Sequence, residues 1–217
     1  MTDYAARRTM MVDTQVRPSD VTKFPIIRAM LQTPRESYVP AALKEAAYVG
    51  ENIGLAAGRV VLEPRTLAKM LDALDIQPTE LVLDIGSGLG YSTHVIALLA
   101  EAVVGVEPYA GFAATAQTML TQYGVDNAVV VIGDLGAGAP KHGPYDVIIL
   151  QGAVETLPES LLAQLKDGGR IGCLFMEAEL GLCRIGYKRG QDISWRFSFN
   201  ASAPVLPGFA RKRDFAL

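Results

Sequence analysis

The stretch Val82-Leu83-Asp84-Ile85-Gly86-Ser87-Gly88-Leu89-Gly90-Tyr91 decides the fold. Hydrophobic residues of β-forming character, Val82, Leu83 and Ile85, lead into a run of alternate glycines, and an apolar-periodic segment from Tyr91 to Ala100 follows. The pattern predicts a buried strand, a tight turn and a helix start. Glycines at alternate positions let the backbone turn sharply and let a ligand approach the peptide plane. The helix start behind them offers unpaired N–H groups.

The spacing separates two cofactor readings. A dinucleotide fingerprint, G-x-G-x-x-G, requires glycine at position 91, which is Tyr. The chain instead reads D-x-G-x-G-x-G, with Asp84 two residues before Gly86. A carboxylate in the turn repels a pyrophosphate but suits a cationic ligand such as S-adenosylmethionine (SAM). Val103-Val104-Gly105-Val106-Glu107 predicts a second strand ending in an acid, at 107 − 86 = 21 positions from Gly86. That offset is close to the one at which a strand-end carboxylate accepts both ribose hydroxyls. Turn and carboxylate together predict an adenosyl-type ligand, held by Asp84, Gly86, Ser87, Gly88 and Glu107. Asp134 and Leu135 follow a third predicted strand and are candidates to flank the adenine. Gln151 follows a fourth, at the ligand edge.

Composition limits the alternatives. The chain has 217 residues, half of them hydrophobic, with a mean hydropathy of +0.22 and a formal net charge of −3. That suffices for one α/β domain with an N-terminal extension. The acidic balance gives no global footprint for nucleic acid. Cys173 and Cys183 lie in apolar runs and are expected as buried, reduced thiols. His94 and His142 are far apart, and no Cys/His cluster has metal-ligand spacing, so no metal is expected. His94 is expected to be packed and His142 at the surface. The N-terminus lacks the apolar core of a signal peptide, and no apolar run approaches ~20 residues. A cytoplasmic protein is expected.

Hydrophobic periodicity sets the remaining architecture. Residues 1–78 read as helical extension and substrate loop, and 79–217 as an α/β core with C-terminal strands, all in one domain. Tyr4–Gln15 predicts a first helix. Ser19 or Asp20 is positioned to cap a second that runs to Gln32. Gly50–Gly58, with three glycines, reads as loop. Pro64 opens an amphipathic helix with Leu67, Met70, Leu71 and Leu74 on one face. From Leu81 strands and helices alternate, which implies a Rossmann-like, doubly wound, mostly parallel sheet. Arg170–Met176, Leu180–Lys188 and Ser194–Asn200 follow with short gaps and predict an antiparallel edge. Arg211-Lys212-Arg213 reads as a solvated basic tail.

Several further segments carry a resemblance. Pro34-Arg35-Glu36-Ser37-Tyr38-Val39-Pro40 is similar to P-R-E-x-F-V-P, and Glu51-Asn52-Ile53 to D-N-I. Gly133-Asp134, Pro144-Tyr145-Asp146-Val147-Ile148-Ile149 and Gln164-Leu165 with Gly168-Gly169-Arg170 follow in the same order. Together with the glycine turn, these pieces resemble the protein-L-isoaspartate O-methyltransferases, a branch of the SAM-dependent methyltransferases, from Ala29 to Ile171. The resemblance implies methyl transfer from SAM to an isoaspartyl carboxylate of a damaged protein or peptide, with S-adenosylhomocysteine (SAH) as product; a monomer and a homodimer both stay open. A carboxylate is already ionised at neutral pH, so alignment and exclusion of water matter more than a strong base.

One segment departs from the pattern. Where the family carries G-Q-T-I-S-x-P, this chain has Gly58-Arg59-Val60-Val61-Leu62-Glu63-Pro64, in a slightly shorter loop. Leu62 stands where the family has a serine at the methyl-transfer site, and leucine forms no hydrogen bond. Arg59 is the candidate in that loop to pair with an acceptor carboxylate. Two alternatives therefore stay open: a SAM-binding paralogue without isoaspartyl activity that serves as sensor or interaction module, and a methyltransferase for another small molecule or RNA.

Overall fold

A computed structural model describes residues 3–211. Seven strands form one sheet: β3 (Leu81–Ile85), β4 (Ala102–Glu107), β5 (Ala128–Ile132), β6 (Tyr145–Val154), β7 (Leu165–Glu177), β8 (Leu180–Arg189) and β9 (Asp192–Asn200). Their order is β5-β4-β3-β6-β7-β8-β9. Pairing is parallel from β5 to β7 and antiparallel from β7 to β9. The chain winds outward from β3 to β5, then returns to the other side of β3 with β6. The two windings part between β3 and β6, and a crevice outside the carboxyl ends of those strands is where ligands bind in such sheets.

The central strands are apolar on both faces because helices cover both. Val82, Leu83 and Ile85 of β3 and the whole apolar run of β6 are buried. α4 (Tyr91–Ala97) and α5 (Ala110–Gln122) follow β3 and β4, and the short α6 (Glu159–Leu162) precedes β7. α3 (Pro64–Leu74) starts at a proline and buries Leu67, Met70, Leu71 and Leu74, as its periodicity predicts. The largest buried cluster runs from Met11 to Ala203, so the N-terminal segment shares a core with the sheet.

The N-terminal third departs from expectation in two places. α1 (Tyr4–Met11) passes into a π-helical turn at Val12–Val16, and α2 (Phe24–Gln32) begins only at Phe24. Neither Ser19 nor Asp20 caps it. Ser19 Oγ donates back to the Gln15 carbonyl, and Asp20 takes a left-handed conformation at the end of a 3-10 turn. The Gly50–Gly58 segment expected as loop supplies β1 (Ile53–Ala56), which pairs as a hairpin with the following β2 (Arg59–Val61) in a separate two-stranded sheet. Among the described residues no helix is long and apolar enough to cross a membrane. Cys173 and Cys183 are both buried and unpaired. Lys212 and Arg213 lie outside the described residues.

Candidate active site

The glycine turn has the form its sequence predicts. Gly86, Gly88 and Gly90 all have positive φ, at 83°, 58° and 97°. Gly90 is the residue before α4, and a Cβ there would lie 3.0 Å from Ala116 Cβ, so glycine also lets α5 pack closely. The Gly86 amide bonds to the Val106 carbonyl at 2.9 Å, which ties the turn to the end of β4. Gln151 enters from β6. Asp84, Glu107 and Gln151 thus converge at the predicted crevice.

Asp84 is buried and fully engaged by its neighbours. Ser92 and Thr93, in the first turn of α4, donate their hydroxyls to Oδ2 at 2.7 Å each, and Gln151 donates Nε2 to Oδ1 at 2.7 Å. Burial pushes its carboxyl up from the usual range, and these three donors oppose that shift. Asp84 therefore fixes the turn to α4 and β6, rather than presenting an open oxygen to a ligand amine. Ser87 Oγ and, just after the turn, the Tyr91 hydroxyl are buried with no hydrogen-bond partner.

Glu107 carries the most consequential geometry. Gly88 and Tyr109 donate their backbone N–H groups to it at 2.8 and 3.1 Å. Arg59, from β2, forms a fork: Nη1 to Oε1 at 2.9 Å and Nη2 to Oε2 at 2.6 Å. Both side chains of this ion pair are 0 % exposed. The guanidinium lies 5.9 Å from the centre of the Tyr109 ring and against Gly86. The guanidinium expected to meet an acceptor carboxylate is, in this structure, taken up by the protein's own Glu107. Leu62 is buried and lines a cavity of about 10 Å³ with Gln151 and Tyr91. Asp134 is exposed and accepts from the Ala137 amide, an ordinary turn contact, and Leu135 is buried in the core beneath the sheet end.

Three groups at the site escape sequence reasoning. Leu206 packs on the crevice from the C-terminal segment: a Cβ on Gly152 would lie 2.6 Å from Leu206 Cδ2, and one on Gly86 3.6 Å from it. Leu55 of β1 comes equally close over Gly88, at 2.6 Å. No local signal marks either leucine, because only the tertiary fold brings them there. Arg35 belongs to the Pro34–Pro40 motif, whose sequence does not reveal its role. It is fully buried without an ion-pair partner among the described residues, and burial lowers its guanidinium below the usual range. It donates to the carbonyls of Ala47 and Leu62 at 2.7 and 2.8 Å and lies 4.7 Å from the Tyr91 ring centre. Arg35 therefore ties the loop carrying Leu62 to the N-terminal segment. Its neighbour Glu36 bonds Arg8 and Tyr48, and Tyr38 bonds His94.

The family description protein-L-isoaspartate(D-aspartate) O-methyltransferase matches residues 7–176. The chain belongs to this family. Its relatives include the Koribacter versatilis protein-L-isoaspartate O-methyltransferase, 34% identical over 79% of this chain and 77% of that one. The Aliivibrio fischeri (strain MJ11) enzyme of the same name is 34% identical over 85% of this chain and 88% of its own length. Among solved structures, a Plasmodium falciparum candidate of the family, crystallised with SAH, superposes with a TM-score of 0.78 at 18% identity. It covers 95% of this chain and 99% of its own, and shows the common fold. The family is SAM-dependent.

The residues do not accommodate that cofactor in the conformation described. Both oxygens of Glu107 are held by Arg59, and the approaches that Gly86, Gly88 and Gly152 leave open are filled by Arg59, Leu55 and Leu206. The remaining space beside the turn, about 10 Å³, is enough for one water.

Proposed function

We propose that this protein is a carboxyl O-methyltransferase of the isoaspartyl-repair type, acting on damaged proteins or peptides. The observation that carries the reading is the family match across residues 7–176, which spans the turn, Glu107 and the loop of Leu62. The acceptor carboxylate needs no base at neutral pH. What this chain contributes is position: Arg35 holds the Leu62 loop, and Gln151 and Asp84 hold the turn beside it. An apolar Leu62 excludes water but supplies no hydrogen bond to the acceptor. On this reading the substrate is a protein or peptide rather than a nucleic acid, and the setting is the cytoplasm.

Leu62 favours a second reading, a family member whose acceptor is not an isoaspartyl carboxylate. Transfer of labelled methyl to an isoaspartyl peptide, with the aspartyl peptide as control, decides between them. The first reading predicts isoaspartyl-selective transfer, raised several-fold by Leu62→Ser. Absence of transfer in both proteins, with SAH binding intact, refutes it.

A further inference from the structure

We propose that Arg59 and Leu206 form a built-in plug of the cofactor crevice, so that cofactor binds only to a form in which the β1–β2 hairpin and the C-terminal strap have swung away. The inference rests on the family's cofactor and goes beyond it.

Three side chains from these two segments supply the plug, and each takes a position that a ligand would need. Arg59 occupies both oxygens of the carboxylate and lies against Gly86. Leu55 covers Gly88, and Leu206 covers Gly86 and Gly152. Three positive-φ residues in five positions are an expensive way to make a turn. Here the close approach they permit is made by the chain's own side chains.

The carboxylate beneath the plug is still built to receive a ligand. Without Arg59, Glu107 keeps two backbone donors, Gly88 and Tyr109. Those donors hold the carboxylate in place and leave it free to accept hydroxyls. A buried ion pair serving the fold alone would need neither the glycine turn nor this second set of donors.

The plug is carried by segments outside the main sheet, although Ile53, Val60 and Val61 of the hairpin pack into the shared core and must leave it on opening. The hairpin is a two-stranded sheet with no strand pairing to the main one, so its displacement breaks no ladder of the core. The strap is held at the end of β6 by Ala153 N to Pro204 O at 3.0 Å and Leu206 N to Ala153 O at 2.8 Å, and beyond it by Glu155 N and Thr156 N to Phe209 O at 2.9 and 3.0 Å, so opening at Leu206 breaks the first pair. Hairpin and strap also lean on each other. Asn52 Nδ2 donates to the Ser202 carbonyl at 2.9 Å, and a Cβ on Gly58 would lie 3.3 Å from the Val205 carbonyl oxygen. Opening one loosens the other.

A ligand that binds only the open form has its apparent affinity reduced by the fraction of molecules that are open. Removing the plug removes that factor. Calorimetric titration with SAH of the wild type, Arg59→Gln and Leu206→Ala tests this, with circular dichroism confirming the fold of each. We expect the two variants to bind at least tenfold more tightly than wild type. Equal affinity in all three, or no binding by folded variants, overturns the plug. Leu206→Ala lies outside the ion pair and carries the test should Arg59→Gln fail to fold. Hydrogen exchange on the wild type gives a readout without substitution: the Ala153 and Leu206 amides should exchange faster with millimolar SAH present, and unchanged protection at saturation overturns the plug. Methyl transfer by the same proteins separates this inference from the functional reading. Tighter binding without isoaspartyl transfer keeps the plug and refutes the acceptor. Tight wild-type binding with transfer does the reverse.

Discussion

Acidification should destabilise this protein through one imidazole. His94 lies in the first turn of α4 and is 5 % exposed. Its Nδ1 is 2.6 Å from the Tyr38 hydroxyl, and its ring packs against Tyr38 and Tyr123 with centroids 5.7 and 5.9 Å away. Burial disfavours the imidazolium and brings the pKa down from 6.5 to about 4. The folded state therefore binds the proton less well than the unfolded chain. Stability from this group is complete above pH 6.5 and is lost as pH falls from there towards about 4. Between about pH 7.5 and about pH 5 the loss amounts to about 2 kcal/mol, from the ratio of the two protonation polynomials. Urea unfolding at both pH values, for wild type and His94→Gln, isolates the effect, because every other titrating group is common to both. The wild type should lose about 2 kcal/mol more than the variant over that interval. An equal loss in both proteins would refute the assignment.

Two further expectations concern stability and reactivity. Arg35→Ala should destabilise the fold by about 2–4 kcal/mol, since it strands the buried carbonyls of Ala47 and Leu62. Arg35→Lys should recover only part of this, because an ammonium lacks the planar fork that reaches both carbonyls; urea unfolding measures each, and full recovery by lysine would contradict the bridging role. Cys173 and Cys183 are buried, with the Cys173 thiol pushed well up and that of Cys183 to about 12. An aromatic disulfide reagent at pH 8 should find no thiol in the native protein and two after denaturation; rapid native labelling would contradict their burial.

The α/β core was legible because its signals are local. The run from Val82 to Tyr91 contains the strand, the turn glycines and the helix start in unbroken sequence, and the structure places each within a residue or two. β6 runs four residues past its expected end at Leu150, because after an irregularity Ala153 and Val154 pair again with Leu174 and Phe175 of β7. The β1–β2 hairpin was hidden by its glycines, which suggest a loop. Only three or four residues long, its strands show no period, and tertiary packing forms them.

The site was legible in its residues but not in their pairing. Asp84, Gly86, Gly88, Glu107 and Gln151 do converge. Their partners come from elsewhere: Ser92 and Thr93 follow the turn and could have been read as donors to Asp84, a signal that lies eight and nine residues away. Arg59 and Glu107 are 48 residues apart, and opposite charges at that separation carry no sequence signal. Leu206 lies among prolines and a glycine, Pro204-Val205-Leu206-Pro207-Gly208, a composition that reads as coil. Nothing in that composition tells which crevice it will cover.

The claim that the cofactor crevice is closed by the chain itself is tested most directly by a crystal structure of the wild type grown at saturating SAH. The account predicts ribose hydroxyls on Glu107, the Arg59 guanidinium withdrawn from both of its oxygens, and Leu206 lifted from Gly152. SAH bound in the crevice with the Arg59–Glu107 fork intact would contradict it.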